Sequence, residues 1–464
     1  MIAKDDPAQP LEPVPDSPDL GINSPNLTTA TAESAVVAGA FPVEEGESAP
    51  SGTPRRTSPW LALQHRDFRL LWGGSFVSQL GSQMRVMAIG VQLWDLTHNF
   101  AAVGLLGLFN LVPVLTLSVF GGVIADALDR RKLLMITQAI MAISSAMLAL
   151  ATISGWISAP LIYIMSAVAA STVAFDNPAR SALIPNLVPR RHLPNALSLN
   201  IIVWQVATII GPTVGGLFVA LHATGFAIIY LIDAVSFSAV IIALYMMKTR
   251  PQEGITRNVS FGAALDGLRF LRKAPIIMST MTLDFFATFF GAAMALMPAV
   301  AEQILHVDRQ YWGLLYAAPA IGAVVAGVAM SWLGNVRHQG KIVIVSVAAY
   351  GVATLLFGLS NLYWLTIIAL AGTGAADTVS MVMRQTIRQL STPDDLRGRM
   401  TSVNMIFYMG GPQLGELEAG LLATVIGLGP AIVVGGISVV AVTGLIGLFV
   451  PSLRNYDRDK TVEA

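Results

Sequence analysis

The sequence predicts an all-α membrane protein with twelve transmembrane helices in two six-helix pseudo-repeat bundles. Three observations carry this prediction. The 464 residues are 54% hydrophobic and only 12% charged, against roughly 25% charged in a soluble domain. The apolar residues gather into runs, each close to the about 20 residues that a helix needs to cross a bilayer. Lys and Arg fall in every second gap between the runs, which is the asymmetry expected of cytoplasmic loops.

Residues 1–60, rich in Pro, Ser, Asp and Glu, read as a disordered acidic tail. No basic stretch followed by an apolar core marks a signal peptide there, so the first span is expected to act as an uncleaved insertion signal. Apolar runs follow at 68–94, 101–125, 132–153, 158–180, 197–221 and 224–247. They form a first bundle at 65–247. A basic stretch from Lys248 to Pro275 then separates this bundle from six further runs: 276–304, 311–334, 341–360, 362–386, 402–426 and 428–450. These form a second bundle at 276–452, with a tail at 453–464. Within 248–275, Phe261, Leu265, Leu268, Phe270 and Leu271 alternate with Asp266, Arg269, Arg272 and Lys273. That spacing predicts an amphipathic helix on the inner membrane surface.

The basic gaps hold Arg130, Arg131 and Lys132; Arg190 and Arg191; the 248–275 stretch; Arg337 and Lys341; Arg388, Arg397 and Arg399; and Arg454, Arg458 and Lys460. The intervening gaps near His98, Ser154, His222, Asn361 and Gly427 hold none, and the one near His306 holds only Arg309. Both termini are therefore expected in the cytoplasm of a multi-pass protein of the inner (plasma) membrane. A shift of 204 residues overlays the halves: Arg180 meets Arg384, Pro189 meets Pro393, Ser198 meets Ser402, Asn200 meets Asn404, Gly211 meets Gly415 and Gly216 meets Gly420. Duplicated units with a site at their interface are an architecture of secondary transporters.

Charges balance at 28 basic and 28 acidic residues, so nothing points to nucleic acid. The absence of cysteine excludes disulfides, thiolate metal sites and cysteine catalysis. The nearest approach to a phosphate loop, "GNVRHQGKI" at 334–342, has the wrong spacing and Ile342 where a hydroxyl is needed. No cofactor, metal or enzymatic activity is expected. The expected partners are the bilayer, a small molecule and protons, and the expected state is a monomer.

The loop after the second span reads "GGVIADALDRRK" (121–132). Gly122, then Asp126 four residues on, then Arg130 and Arg131, resemble the signature of the major facilitator superfamily. The resemblance covers residues 65–452. Asp129 stands where the family pattern usually has Gly, a departure shared by its drug and siderophore exporters. The resemblance implies an inner gate of Gly122, Asp126, Arg130, Arg131, Asp176 and Arg180, with Arg130 or Arg131 pairing Asp176. On the fifth span "GPTVGG" (Gly211, Pro212, Gly215, Gly216) resembles the antiporter signature of the superfamily's exporters. Pro212 removes an amide donor, which bends a helix. With "MPAVAEQILHVDRQYWGLLYAAPAIGA" (297–323), these motifs resemble the branch of enterobactin exporters and multidrug-efflux proton antiporters.

A charge at mid-bilayer costs roughly 2.5–3.5 kcal/mol even on lenient scales, so each needs a reason. Arg85, Asp233, Asp284, Asp377, Glu416 and Glu418 fall inside spans. Gln79, Ser82 and Gln83 share one helix side next to Arg85; Gln79, Gln83, Arg85 and Gln413 are candidates for a substrate cavity. Glu416 and Glu418, about 200° apart around a helix, cannot both face it, and Glu416 shares Gln413's face. Asp233 reads equally well as a structural ion pair. All six His lie in loops or at helix ends, so Asp284, Asp377 and Glu416 are the candidates for proton coupling. The fold, the motifs and this polar lining imply a secondary exporter of a small amphipathic or organic molecule, drug- or siderophore-like, working by proton antiport and alternating access. A proton-coupled uptake symporter, or a transporter-like sensor or scaffold, stays open at this point.

Overall fold

The computed structural model describes residues 59–248, 274–333, 336–392 and 397–457; the side chains of 119–127, 397–399, 401 and 402 are also outside the description. The acidic tail up to residue 58, the amphipathic helix expected within 248–275 and the end of the C-terminal tail thus lie outside the described residues.

Twelve long helices run through the described residues: α1 (Arg66–Thr97), α2 (Phe100–Ala127), α3 (Arg130–Ile153), α4 (Ala159–Leu187), α5 (Leu193–Val219), α6 (Ala223–Met246), α7 (Pro275–Phe290), α8 (Trp312–Leu333), α9 (Gln339–Leu359), α10 (Tyr363–Ser391), α11 (Arg397–Ile426) and α12 (Leu428–Phe449). Among the described residues, ten spans are long and apolar enough to cross a membrane on length and hydropathy alone. The two helices that fall short are α1 and α11. They carry Gln79, Gln83 and Arg85, and Gln413, Glu416 and Glu418, respectively. Low hydropathy here marks helices turned toward the protein interior.

The repeat seen in the sequence is a repeat of structure. Helices α4 and α10 begin and end 204 residues apart, and α5 and α11 begin 204 residues apart. Four histidines, His98, His222, His306 and His338, make the turns between helices with positive φ of 46°, 56°, 49° and 57°, a range in which His is enriched among non-glycine residues; His98 and His338 are fully left-handed. Asp129 caps α3: its carboxylate accepts from the backbone N–H of Arg131 at 2.9 Å and of Lys132 at 3.4 Å. This gives a physical role to the acid at the unusual position in the loop. Asp129→Ala is expected to cost about 1 kcal/mol, read as a lowered midpoint in detergent thermal unfolding; an unchanged midpoint would remove the cap from the account.

The seventh span is not one helix. It stops at Gly291, passes through a 3₁₀ turn (Ala293–Leu296), and ends in a π turn (Val300–Ile304). Gly291 and Pro298 flank the break, and Pro298 has no N–H to donate. Irregular backbone at membrane depth must be buried in protein or line a cavity. Here the Tyr350 hydroxyl donates to the Gly291 carbonyl at 3.1 Å, and Met294 and Ala295 reach the central cavity.

At the lysine-poor end one hydrophobic core spans both sets of six helices, with Met87, Trp94, Leu296, Trp312 and Leu315 all buried. At the basic end the core divides. One cluster around Phe68, Leu134 and Leu199 belongs to the first six helices, and others around Leu283, Val347 and Met281 belong to the last six.

Candidate substrate cavity and ion-pair network

A cavity of about 530 Å³ lies between the two sets of helices. Of the cavity residues expected from the sequence, Gln83, Arg85 and Gln413 line it, as do Pro212 and Glu416. Gln79 is not among the lining residues. Much of the remaining wall is apolar or aromatic, including Leu106, Trp204 and Tyr316. Two glycine crossings fix the wall that carries Gln413 and Glu416. A Cβ at Gly107 on α2 would lie 2.1 Å from the Gln413 carbonyl oxygen, and one at Gly104 would lie 2.5 Å from that of Glu416. The helices touch backbone to backbone. On the other side, a Cβ at Gly216 on α5 would lie 2.7 Å from the amide nitrogen of Gly313 on α8. A Cβ at Gly211 would lie 2.6 Å from Gln83 Cβ, so this glycine lets α5 lie against α1. In "GPTVGG" Pro212 sits inside an unbroken α5 and lines the cavity. Beside it, Gln83 Nε2 donates to Thr208 Oγ1 at 2.9 Å.

Gly104 and Gly107 were not singled out from the sequence. Their three-residue spacing on one side of a helix was the available signal. Gly107→Val is expected to prevent this crossing and to reduce transport at least about tenfold with normal membrane insertion, measured as flux per reconstituted protein. The displaced atom would be backbone, which cannot rotate away.

The buried charges are paired. Arg85 Nε lies 2.8 Å from Asp233 Oδ2, and the fully buried Asp233 also accepts from Ser82 and Ser145. Arg384, 3% exposed, lies 2.8 Å from Asp284 and 3.4 Å from Asp377. Arg388 donates to Asn404 nearby. Arg180 pairs with Asp176 one turn earlier, with both contacts at 3.1 Å. Asp176 also accepts from Thr137 and Gln138, each at 2.8 Å. The pairing of Asp176 with Arg130 or Arg131 that the resemblance implied is therefore replaced by one with Arg180. All its acceptor positions are filled from α3 and α4. Arg130 instead donates to the Ala182 carbonyl and Arg131 to that of Tyr245. The side chains of Gly122 and Asp126 lie outside the described residues. Arg180 and Arg384, 204 residues apart, each hold an ion pair but with acids at non-equivalent positions, Asp176 on the same helix in the first repeat and Asp284 and Asp377 in the second; the sequence overlay had matched the arginines without giving Arg384 a role.

Glu416 has no such partner: no ion pair or hydrogen bond to its carboxylate is present among the described residues. Glu418 takes the other face and does not line the cavity.

A fourth charged cluster sits at the lysine-poor end and joins the repeats. Arg309 reaches Asp95 with both nitrogens, at 2.6 and 2.9 Å, and stacks over Trp312 at 5.4 Å. Trp94 donates to Glu302. The single arginine in a lysine-poor gap thus has a carboxylate waiting for it on α1.

Residues 57–463 match the family described as transmembrane secretion effector. The enterobactin exporter EntS of Citrobacter koseri is 26% identical over 396 residues, which is 85% of this chain and 94% of that protein. The EntS of Salmonella choleraesuis is 25% identical over 85% of this chain and 95% of that protein. Among solved structures, a bacterial homologue of the iron transporter ferroportin in an inward-facing state aligns with a TM-score of 0.66 at 14% identity, covering 84% of this chain and 99% of that one. A bacterial homologue of the human lysosomal transporter Spinster, inward-facing and unoccupied, gives 0.64 at 14% identity, over 83% and 95%. At such identity these structures share the fold.

Proposed function

We propose, from the premise that this chain belongs to the transmembrane secretion effector family of major facilitator superfamily transporters, that it exports a small amphipathic organic molecule, drug- or siderophore-like, by proton antiport. The observation that carries this reading is the central cavity. It lies between two six-helix repeats, is lined by Gln83, Arg85, Gln413 and Glu416 among apolar residues, and sits below a shared core at one end only. An amphipathic ligand needs such a mixture. Similarity to enterobactin exporters favours outward movement. The repeats would rock about this site in a bacterial inner membrane, as a monomer, with both termini and the basic loops cytoplasmic. The lysine-poor end is then the outer face, closed in this state. Single cysteines introduced into the cysteine-free chain test this orientation: position 156 should be labelled from outside in intact cells and position 260 should not.

Under this reading Gly122, Asp126, Arg130, Arg131, Asp176 and Arg180 form the inner gate, and Asp126→Asn should sharply lower transport at normal expression. Undiminished transport would remove Asp126 from the gate. Of the coupling candidates, Asp284 and Asp377 share Arg384, whereas Glu416 is unpaired. Glu416 is therefore the preferred proton carrier. Flux into or out of proteoliposomes under an imposed pH gradient decides the mechanism. Cargo moving against the proton flow fits antiport; movement with it means symport; no flux means the protein is not this kind of transporter.

A further inference from the structure

Three polar atoms buried in the cavity wall make no hydrogen bond: Gln413 Oε1, Ser166 Oγ on α4, and Arg85 Nε, which is held to Asp233 as an ion pair. The Glu416 carboxylate, one turn from Gln413, lines the same cavity with no ion pair or hydrogen bond among the described residues. A buried acceptor left without a donor is costly, and most native ones have a partner. The charges that face this space from the surrounding helices do not supply one. The Arg85 cation of α1 is taken by Asp233 of α6 at 2.8 Å. Helix α5 offers Thr208, already accepting from Gln83, α8 offers the Tyr316 hydroxyl, and α2 offers Asn110. The Arg384 cation stands between two carboxylates, Asp284 and Asp377, and does not line the cavity. The lining is left with one uncompensated acid and no uncompensated base.

We propose that the cargo carries a cationic N–H donor, an ammonium or amidinium group on an apolar or aromatic body, and that this group docks on Glu416 and Gln413 Oε1. An N–H cation supplies both the missing charge and the missing donors, and charge-assisted hydrogen bonds are the strong ones. A carboxylate- or catecholate-rich cargo would meet Glu416 with like charge and find the Arg85 charge already balanced by Asp233, which is how a site rejects a wrong partner. The inference rests on the reading of the central cavity as the cargo site and narrows the class of molecule it takes.

The test is equilibrium binding of one scaffold in three charge states to the full-length protein in nanodiscs. The probes are dansylcadaverine (ammonium), its N-acetyl form (neutral) and its N-succinyl form (carboxylate). The ammonium form should bind about tenfold tighter than the neutral form, equivalent to about 1.4 kcal/mol, and the carboxylate form more weakly than either. Glu416→Gln should erase most of that preference, and Gln413→Leu should reduce it. Unchanged thermal unfolding midpoints would show that both variants are folded. A parent protein that fails to bind the ammonium form, or does not prefer it, overturns the proposal. A preference that survives Glu416→Gln overturns it too. If the preference holds but no pH-driven flux occurs, the exporter reading falls and the cation site stands. If flux occurs with an anionic cargo preferred, the exporter reading stands and the cation site falls.

Discussion

Glu416→Gln is expected to abolish pH-driven accumulation of cargo in proteoliposomes while exchange at saturating cargo persists. A proton carrier must exist in both protonation states, and cargo binding must alter its proton affinity. Gln matches Glu in shape and cannot titrate. Because the Glu416 carboxylate has no ion-pair partner among the described residues, the substitution strands no opposite charge and should leave the fold intact. The same change at the other two candidates acts differently. Asp284→Asn removes the nearer partner of a 3%-exposed Arg384, and breaking a buried pair costs about 3–5 kcal/mol, lessened here by Asp377 at 3.4 Å. Its first symptom should be lost stability and yield. Glu416→Asp keeps a titratable group and should retain part of the accumulation. If Glu416→Gln concentrates cargo as the parent does, the residue serves packing and the proton travels elsewhere. Loss of exchange even at saturation would mean that Glu416 is indispensable for holding cargo and that its role as proton carrier is unproven.

Arg309→Ala is expected to open the lysine-poor end. Arg309 ties the second repeat to Asp95 of the first through two contacts and covers Trp312. The pair is about one-fifth exposed, so it stands between a surface pair of about 0–1 kcal/mol and a buried one of several. A loss of about 1.5–3 kcal/mol shifts the balance between the two open states by roughly tenfold to a hundredfold. A cysteine at Ser166, in the cavity wall, reports the shift: an impermeant reagent added outside should label it much faster in Arg309→Ala than in the parent. Reversing both charges, Asp95→Arg with Arg309→Asp, should slow labelling again, because the pair reforms. Equal labelling in parent and Arg309→Ala would show that the shared apolar core alone closes this end.

By itself the sequence determined the membrane class, the spans and their repeat, because these depend on composition and period alone. The run of apolar residues needed to cross a bilayer is set by its thickness, and loop charge by the membrane's asymmetry. It also singled out Gln83, Arg85, Gln413 and Glu416, since a polar residue within an apolar run is expensive unless it faces the interior, and α1 and α11 are the helices with the most of them. What only the tertiary structure decided is who pairs with whom. Asp95 and Arg309 are 214 residues apart, and their meeting depends on how two helix ends are rotated and tilted, to which periodicity is blind. The same holds for Arg85 with Asp233, for Arg384 between its two acids, and for Asp176, which takes the arginine one turn along its own helix instead of the one in the loop. The break in the seventh span lay hidden too, because Gly291 and Pro298 are tolerated in many membrane helices. They end this one because Tyr350 and the cavity receive the backbone that the break exposes. Pattern fixes which faces are polar; only packing decides which of those faces find a partner, and Glu416 is conspicuous because its face does not.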